Sequence, residues 1–262
     1  LRERLKGEDV YKLHGLASLP GAFSRSLIVA GMAELGNFGN IEVIGNEAID
    51  IAEKVQNALT LTFVYNFVAM AYLRLGKLKS AIPLLEKSHE LCCSSELQSM
   101  YAFTIGNLGC AYLLAKEFDR ALALLEEGAK EENIQASFWP THPLTVLADA
   151  YRLVGELSSA LETISSALQM TDQRDERGFE AWAMLIMAMV KSAQEKHDES
   201  KEWYLRTLQQ ATNLSMQPLV AHCHAGLADV NMHIGDKNAS ELEKSKSIKL
   251  YQDLGMDFWL SY

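Results

Sequence analysis

His222, Cys223 and His224 stand together late in the chain, with His233 nearby. Imidazoles and thiolates are common ligands of transition metals. On a helix, however, residues two apart point in different directions, so His222 and His224 are poorly placed to share an ion. Packed histidines at a helix start are the plainer reading. Cys92, Cys93, Cys110 and Cys223 show neither a CxxC spacing nor a secreted disulfide framework, and they read as free thiols in a reducing compartment. The acidic run Glu126, Glu127, Glu131 and Glu132 fits a solvated helix face. The sequence holds no GxxxxGKS/T phosphate loop, no GxGxxG and no HExxH. Nothing pairs a nucleophile with a base. Catalysis, a cofactor and a bound metal are therefore not expected.

A second set of residues recurs at fixed spacing. Phe23, Phe63, Phe103, His142, Trp182 and His222 follow one another at steps of 40, 40, 39, 40 and 40. Thirteen residues after each comes a helix-stop position: Gly36, Gly76, Lys116, Gly155, Glu195 and Gly235. Seven residues before each stop sits a small or slim residue (Val29, Ala69, Gly109, Ala148, Ala188, Ala228). Five residues after it come Ile41, Ala81, Ala121, Ala160, Ser200 and Ser240. A further small column is Ala48, Ser88, Gly128, Ala167, Thr207 and Ser247. Self-similarity at a fixed period marks a stacked repeat. Small residues at such columns let paired helices approach closely.

The second repeat shows which elements carry these columns. The spacing predicts a helix over Phe63–Leu75, ended by Gly76, and a second from near Leu78 to about Cys93, with Pro83 in its first turn. The stops Lys116 and Glu195 lack glycine, so those turns are expected to close differently, because a left-handed non-glycine residue costs about 1 kcal/mol. Residues 1–21 read as the end of a preceding element and a linker, and 22–262 as one repeat domain. Its units are about 22–58, 59–97, 98–138, 139–175, 176–214 and 215–262. The two prolines of 136–143 suggest a longer connection before the fourth unit. The expected fold is all-α, a right-handed superhelical solenoid of about six antiparallel helix pairs.

Leu108-Gly109-Cys110-Ala111-Tyr112 followed by Phe118-Asp119-Arg120-Ala121 resembles the tetratricopeptide consensus, as do Tyr72 with Gly76 and Ala81, and Tyr151 with Gly155 and Ala160. The usual period is about 34 residues, so these repeats are of a long type. Three later phrases, Asp175–Ala183, Met216–His224 and Tyr251–Leu260, resemble the C-terminal repeat region of bacterial signalling proteins that join a nucleotide cyclase and an AAA-type ATPase to a repeat tail. The first resemblance implies that the recurring aromatic column faces a concave groove, together with residues three, seven and ten places on. It then offers Phe23, Phe63, Asn66, Met70, Arg74, Phe103, Asp149, Arg152, Trp182, Met189, His222, Asp229 and Met232 as partner-binding candidates. Burial of the same column between neighbouring helices is the competing reading. The second resemblance implies a regulatory or partner-binding tail.

Composition fits this picture. Hydrophobic residues are 48% and charged residues 22%, which suits a folded protein and not a disordered one. A net charge of −10 repels phosphate backbones, so nucleic acid is not an expected partner. The longest apolar run, Ala181–Val190, is ten residues, against roughly twenty for a membrane span. A cytoplasmic protein or peptide partner, with other domains of a longer parent chain as one source, is expected. A small-molecule sensor is the alternative; it needs a closed pocket with convergent polar groups. The chain opens on Leu1 in mid-phrase and reads as a piece of a longer protein.

Overall fold

The computed structural model describes residues 7–261. Among them are thirteen α-helices and no strand. Twelve helices form six antiparallel pairs: α1 (Pro20–Glu34) with α2 (Ile41–Val55), α3 (Ala58–Arg74) with α4 (Leu78–Ser94), and α5 (Gln98–Leu114) with α6 (Phe118–Gly128). After a short α7 (Glu131–Ala136) come α8 (Thr141–Leu153) with α9 (Leu157–Arg174), α10 (Arg177–Ala193) with α11 (His197–Asn213), and α12 (Gln217–His233) with α13 (Lys237–Leu254). The first helix of each pair packs on its own partner and on the first helix of the next pair. No helix is long and apolar enough to cross a membrane among the described residues.

The turn inside each pair is the same device six times. All six stop residues adopt left-handed φ, from 59° at Glu195 to 85° at Gly155 and Gly235, and Lys116 stands at 63°. In each, the next residue's N–H returns to the carbonyl four before the stop, as in Lys77→Tyr72, Glu117→Tyr112 and Lys196→Lys191, at 2.8–3.0 Å. This six-to-one bond is the Schellman closure of a helix end. The glycine-free turns at Lys116 and Glu195 therefore close like the others, contrary to the sequence expectation. The bond geometry of the motif outweighs the local cost of a left-handed side chain.

The small columns explain the spacing of the stack. Every member of all three is buried. A Cβ at Gly109 would come within 2.5 Å of Leu125, and one at Gly128 within 2.4 Å of Ile105. At these two places the third pair has only a backbone's width to give.

Element bounds differ from expectation in three places. Helix α3 begins at Ala58, earlier than the phrase around Phe63 suggests, because Asn57 caps it by accepting from the Thr60 N–H at 2.9 Å. Pro83 is the sixth residue of α4 rather than part of its first turn, and it is exposed. The connection before the fourth pair is longer than the others, residues 129–140, as expected, but it lies earlier than the proline stretch suggests: it contains α7, and Pro143 already lies in α8. At the N-terminal end, residues 7–11 form a 3-10 turn whose Val10 is buried against α1, where a Cβ on Gly21 would meet its carbonyl at 2.6 Å. Residues 1–6 of the expected linker lie outside the described residues.

Candidate functional site: a bridged concave channel

The curvature of the stack brings its two ends together. Glu34, at the end of α1, accepts from Arg74 Nε at 2.8 Å and from Trp182 Nε1 at 2.9 Å. The Arg74 guanidinium lies 3.7 Å from the centre of the Trp182 ring. Cation and indole face are attracted by the ring quadrupole, most strongly when desolvated. The first two pairs are thus joined to the fifth across the inside of the curve.

The chain's own C-terminal segment completes the bridge. Gly255, at φ 67°, ends α13, and Met256 is fully buried. The turn Asp257–Leu260 then lies against the second pair. Trp259 Nε1 donates to the Arg74 carbonyl at 2.8 Å. That carbonyl belongs to the last turn of α3, whose C=O groups have no partner within the helix. Trp259 also stands edge-on to His222, with ring centres 4.5 Å apart. Phe258 packs so closely on Gly76 that a Cβ there would meet it at 2.2 Å.

On one side of the bridge the aromatic column is core. Phe63 and Phe103 are buried, and Phe23 packs on Phe63 with ring centres 4.8 Å apart. Trp139, from the segment before α8, covers them; its ring centre is 4.8 Å from Phe103 and 5.5 Å from Phe67. Met70 joins this cluster. Asn66 is fully buried, and its amide donates to Ser88 Oγ at 2.8 Å and Thr104 Oγ1 at 2.9 Å. Asn107 Nδ2 donates to Asn66 Oδ1 at 2.9 Å, and His142 Nε2 sits 3.0 Å from Asn107 Oδ1. Phe63, Asn66, Met70 and Phe103 therefore sit between helices and not in a groove: long helices leave no gap there once Trp139 fills it. Met232, by contrast, is exposed and lies apart from the cluster and the chamber described next.

On the other side lies a partly enclosed chamber of about 400 Å³. Arg74, Asp149, Arg152 and Trp182 line it, as do Met189, His222 and Asp229. His142, Tyr204, Tyr251 and Trp259 complete its polar and aromatic wall. Tyr204 lies flat on α12 because Gly226 is bare; a Cβ there would reach its ring at 2.2 Å. Arg152 pairs with Asp149 at 2.7 Å. Burial, with the charge of Arg74 adding to it, pushes His142 and His222 down to about 3, so both are neutral near pH 7.

The other residues singled out for chemistry are placed apart. His222 Nδ1 bonds the Tyr251 hydroxyl at 2.8 Å, whereas His224 turns to Glu243. Among the described residues no three His, Cys, Asp or Glu side chains gather as a metal set. The four thiols are free. Burial pushes Cys92 and Cys110 up to about 11 and Cys223 up to about 12, which leaves them protonated and poor nucleophiles. Sequence reasoning missed Glu34, Tyr204, Tyr251 and Trp259. The available signals were a glycine inside α12 and a Phe-Trp pair just beyond a glycine stop.

The architecture is a helical-hairpin solenoid with tetratricopeptide-like repeats. Residues 60–130, spanning most of the second and third pairs, match the tetratricopeptide-repeat family model. Among curated protein sequences, none matches the chain. Solved structures share the fold at low identity. The Rap conjugation gene regulator of plasmid pLS20, in complex with the Phr* peptide, superposes with a TM-score of 0.70 at 15% identity, over 89% of this chain and 62% of its own. BtubC (BKLC) from P. vanneervenii gives 0.55 at 15% identity, over 83% of this chain and 90% of its own. Aspartyl phosphate phosphatase F from Bacillus subtilis gives 0.53 at 13% identity, over 81% and 56%. The chain therefore spans less than two thirds of the length of the Rap regulator it resembles.

Proposed function

We propose that the chain is a non-catalytic interaction and regulatory module whose concave channel takes a short segment of a partner protein or of its own parent chain. One observation carries this reading: the turn Asp257–Leu260 already occupies the channel, with Trp259 bonded to the end of α3 and Phe258 on Gly76. A surface that seats an aromatic turn of this chain is built to seat a similar turn in trans. The peptide held by the Rap regulator, which has the same fold, supports the reading. So does the resemblance to the repeat tails of cyclase–ATPase signalling proteins. In such a protein the module would gate its neighbours when the segment is exchanged.

The experiment is direct. Trp259→Ala should free the site, and a synthetic peptide of residues 256–261 should then bind the variant more tightly than it binds the intact chain. Equal or absent binding in both would remove the C-terminal turn as a ligand mimic.

A second reading, sensing of a small molecule, is favoured by one specific feature. The channel is not open, as a simple groove would be; bridge and turn leave a chamber of about 400 Å³, within the size range of small-ligand pockets.

A further inference from the structure

Once the ion pairs around the chamber are matched, one charge is left over, on the exposed Asp229. Arg74 is matched by Glu34 and Arg152 by Asp149. Asp229 remains. Its carboxylate lines the chamber from α12 and has no hydrogen-bond or ion-pair partner among the described residues. It shares the chamber with the Tyr204 and Tyr251 phenols, both held protonated chiefly by burial, with Cys223 and then this carboxylate adding to the rise. Around it the walls are aromatic (Trp182, Tyr204, Tyr251, Trp259) and beyond them apolar (Leu113, Leu153). An anion would have to pull an arginine from its carboxylate. A cation finds one carboxylate unmatched and several electron-rich ring faces, the combination that holds organic cations elsewhere.

We propose that the chamber binds a small organic cation, an ammonium or guanidinium group on an apolar stem, with the charge at Asp229 and the stem against Leu113, Leu153 and Met189. This rests on the sensor reading, in which the C-terminal turn is a wall of the chamber and not a stand-in for its ligand. The net charge of −10 favours the same sign of ligand by concentrating cations near the surface. A free amine and the basic side chain of a bound peptide offer the same chemistry.

The two sources are separated by titrating the full chain with four probes: phenethylamine, agmatine, the capped tripeptide Ac-Leu-Lys-Leu-amide, and hexanoate as the anionic control. Binding is followed by calorimetry and by fluorescence of Trp182 and Trp259, which line the chamber. The expected result is binding of at least one cationic probe, weakened tenfold or more by Asp229→Asn, with hexanoate silent. Amine binding assigns a free ligand, and binding of the tripeptide alone assigns a side chain. A second variant, Leu153→Trp, narrows the chamber and should weaken the same probe while Asp229 stays in place. No response to any cation at millimolar concentration, equal binding of hexanoate, or unchanged affinity in Asp229→Asn overturns the proposal. Neither Asp229 nor Leu153 supplies the hydrogen bond of Trp259 to α3 or the packing of Phe258 on Gly76. Failure here therefore leaves the test of the C-terminal turn unaffected.

Discussion

At the scale of single residues, the two neutral imidazoles set the acid response. An unfolded histidine titrates near 6.5, whereas His142 and His222 are held down at about 3 by burial and by Arg74. Their contribution to stability is complete above pH 6.5. Below it the unfolded chain takes up protons that the folded chain refuses, so stability falls steadily as pH drops toward 3. The slope approaches about 1.4 kcal/mol per pH unit for each histidine once the unfolded imidazole is protonated, so the pair should cost about 3 kcal/mol between pH 6.5 and 5. Denaturant unfolding along a pH series tests this. The double variant His142→Gln, His222→Gln should lose most of the slope, whatever its absolute stability; an undiminished slope would assign the acid sensitivity to other groups.

The period and the buried columns could be read from sequence because each reports a contact inside one pair or between adjacent pairs. Small residues at positions such as Ala69, Gly109 and Ala148 are demanded by that local geometry alone. At the scale of elements, the Schellman turn is the unit that repeats. Only four of the six stops are glycine, and each non-glycine stop pays about 1 kcal/mol for its Cβ in the left-handed region. Lys116→Gly and Glu195→Gly should each stabilise the protein by about 0.5–1 kcal/mol, since added freedom in the unfolded chain offsets part of the gain. Thermal melts of the two single variants check this. A loss of stability in both would mean that their side chains contribute more than the backbone strain costs. Other features were illegible for a physical reason. Phe63 and Phe103 are buried in part under Trp139, which comes from outside the repeat pattern, and no local pattern encodes that cover. Glu34 and Trp182 are 148 positions apart, and Trp259 and Arg74 are 185 apart. Whether such residues meet depends on the curvature accumulated over several pairs.

At the scale of the whole molecule, one glycine separates closure of the ring from closure of a turn. Gly76 and Gly235 are both left-handed, at 73° and 85°. A methyl group at Gly235 meets nothing within 4 Å, whereas at Gly76 it meets Phe258 at 2.2 Å. Gly235→Ala should cost about 1 kcal/mol, the backbone term alone. Gly76→Ala should cost clearly more, and it should also release Phe258 and Trp259, seen as a red shift of indole emission and faster amide exchange over 255–261. Equal effects of the two substitutions would mean that the C-terminal turn adds nothing to the ring.

The tie from Glu34 through Arg74 to Trp182 also bears on mechanics. An untied ribbon of helix pairs behaves as a soft spring, each joint adding a little stretch, and its outermost pairs can peel away singly. Knotting early pairs to late ones removes that softness. A tug on either end is felt at the other before any single pair lets go. A ligand that loosens the knot would change the molecule's reach, and thereby the distance between its first and last pairs.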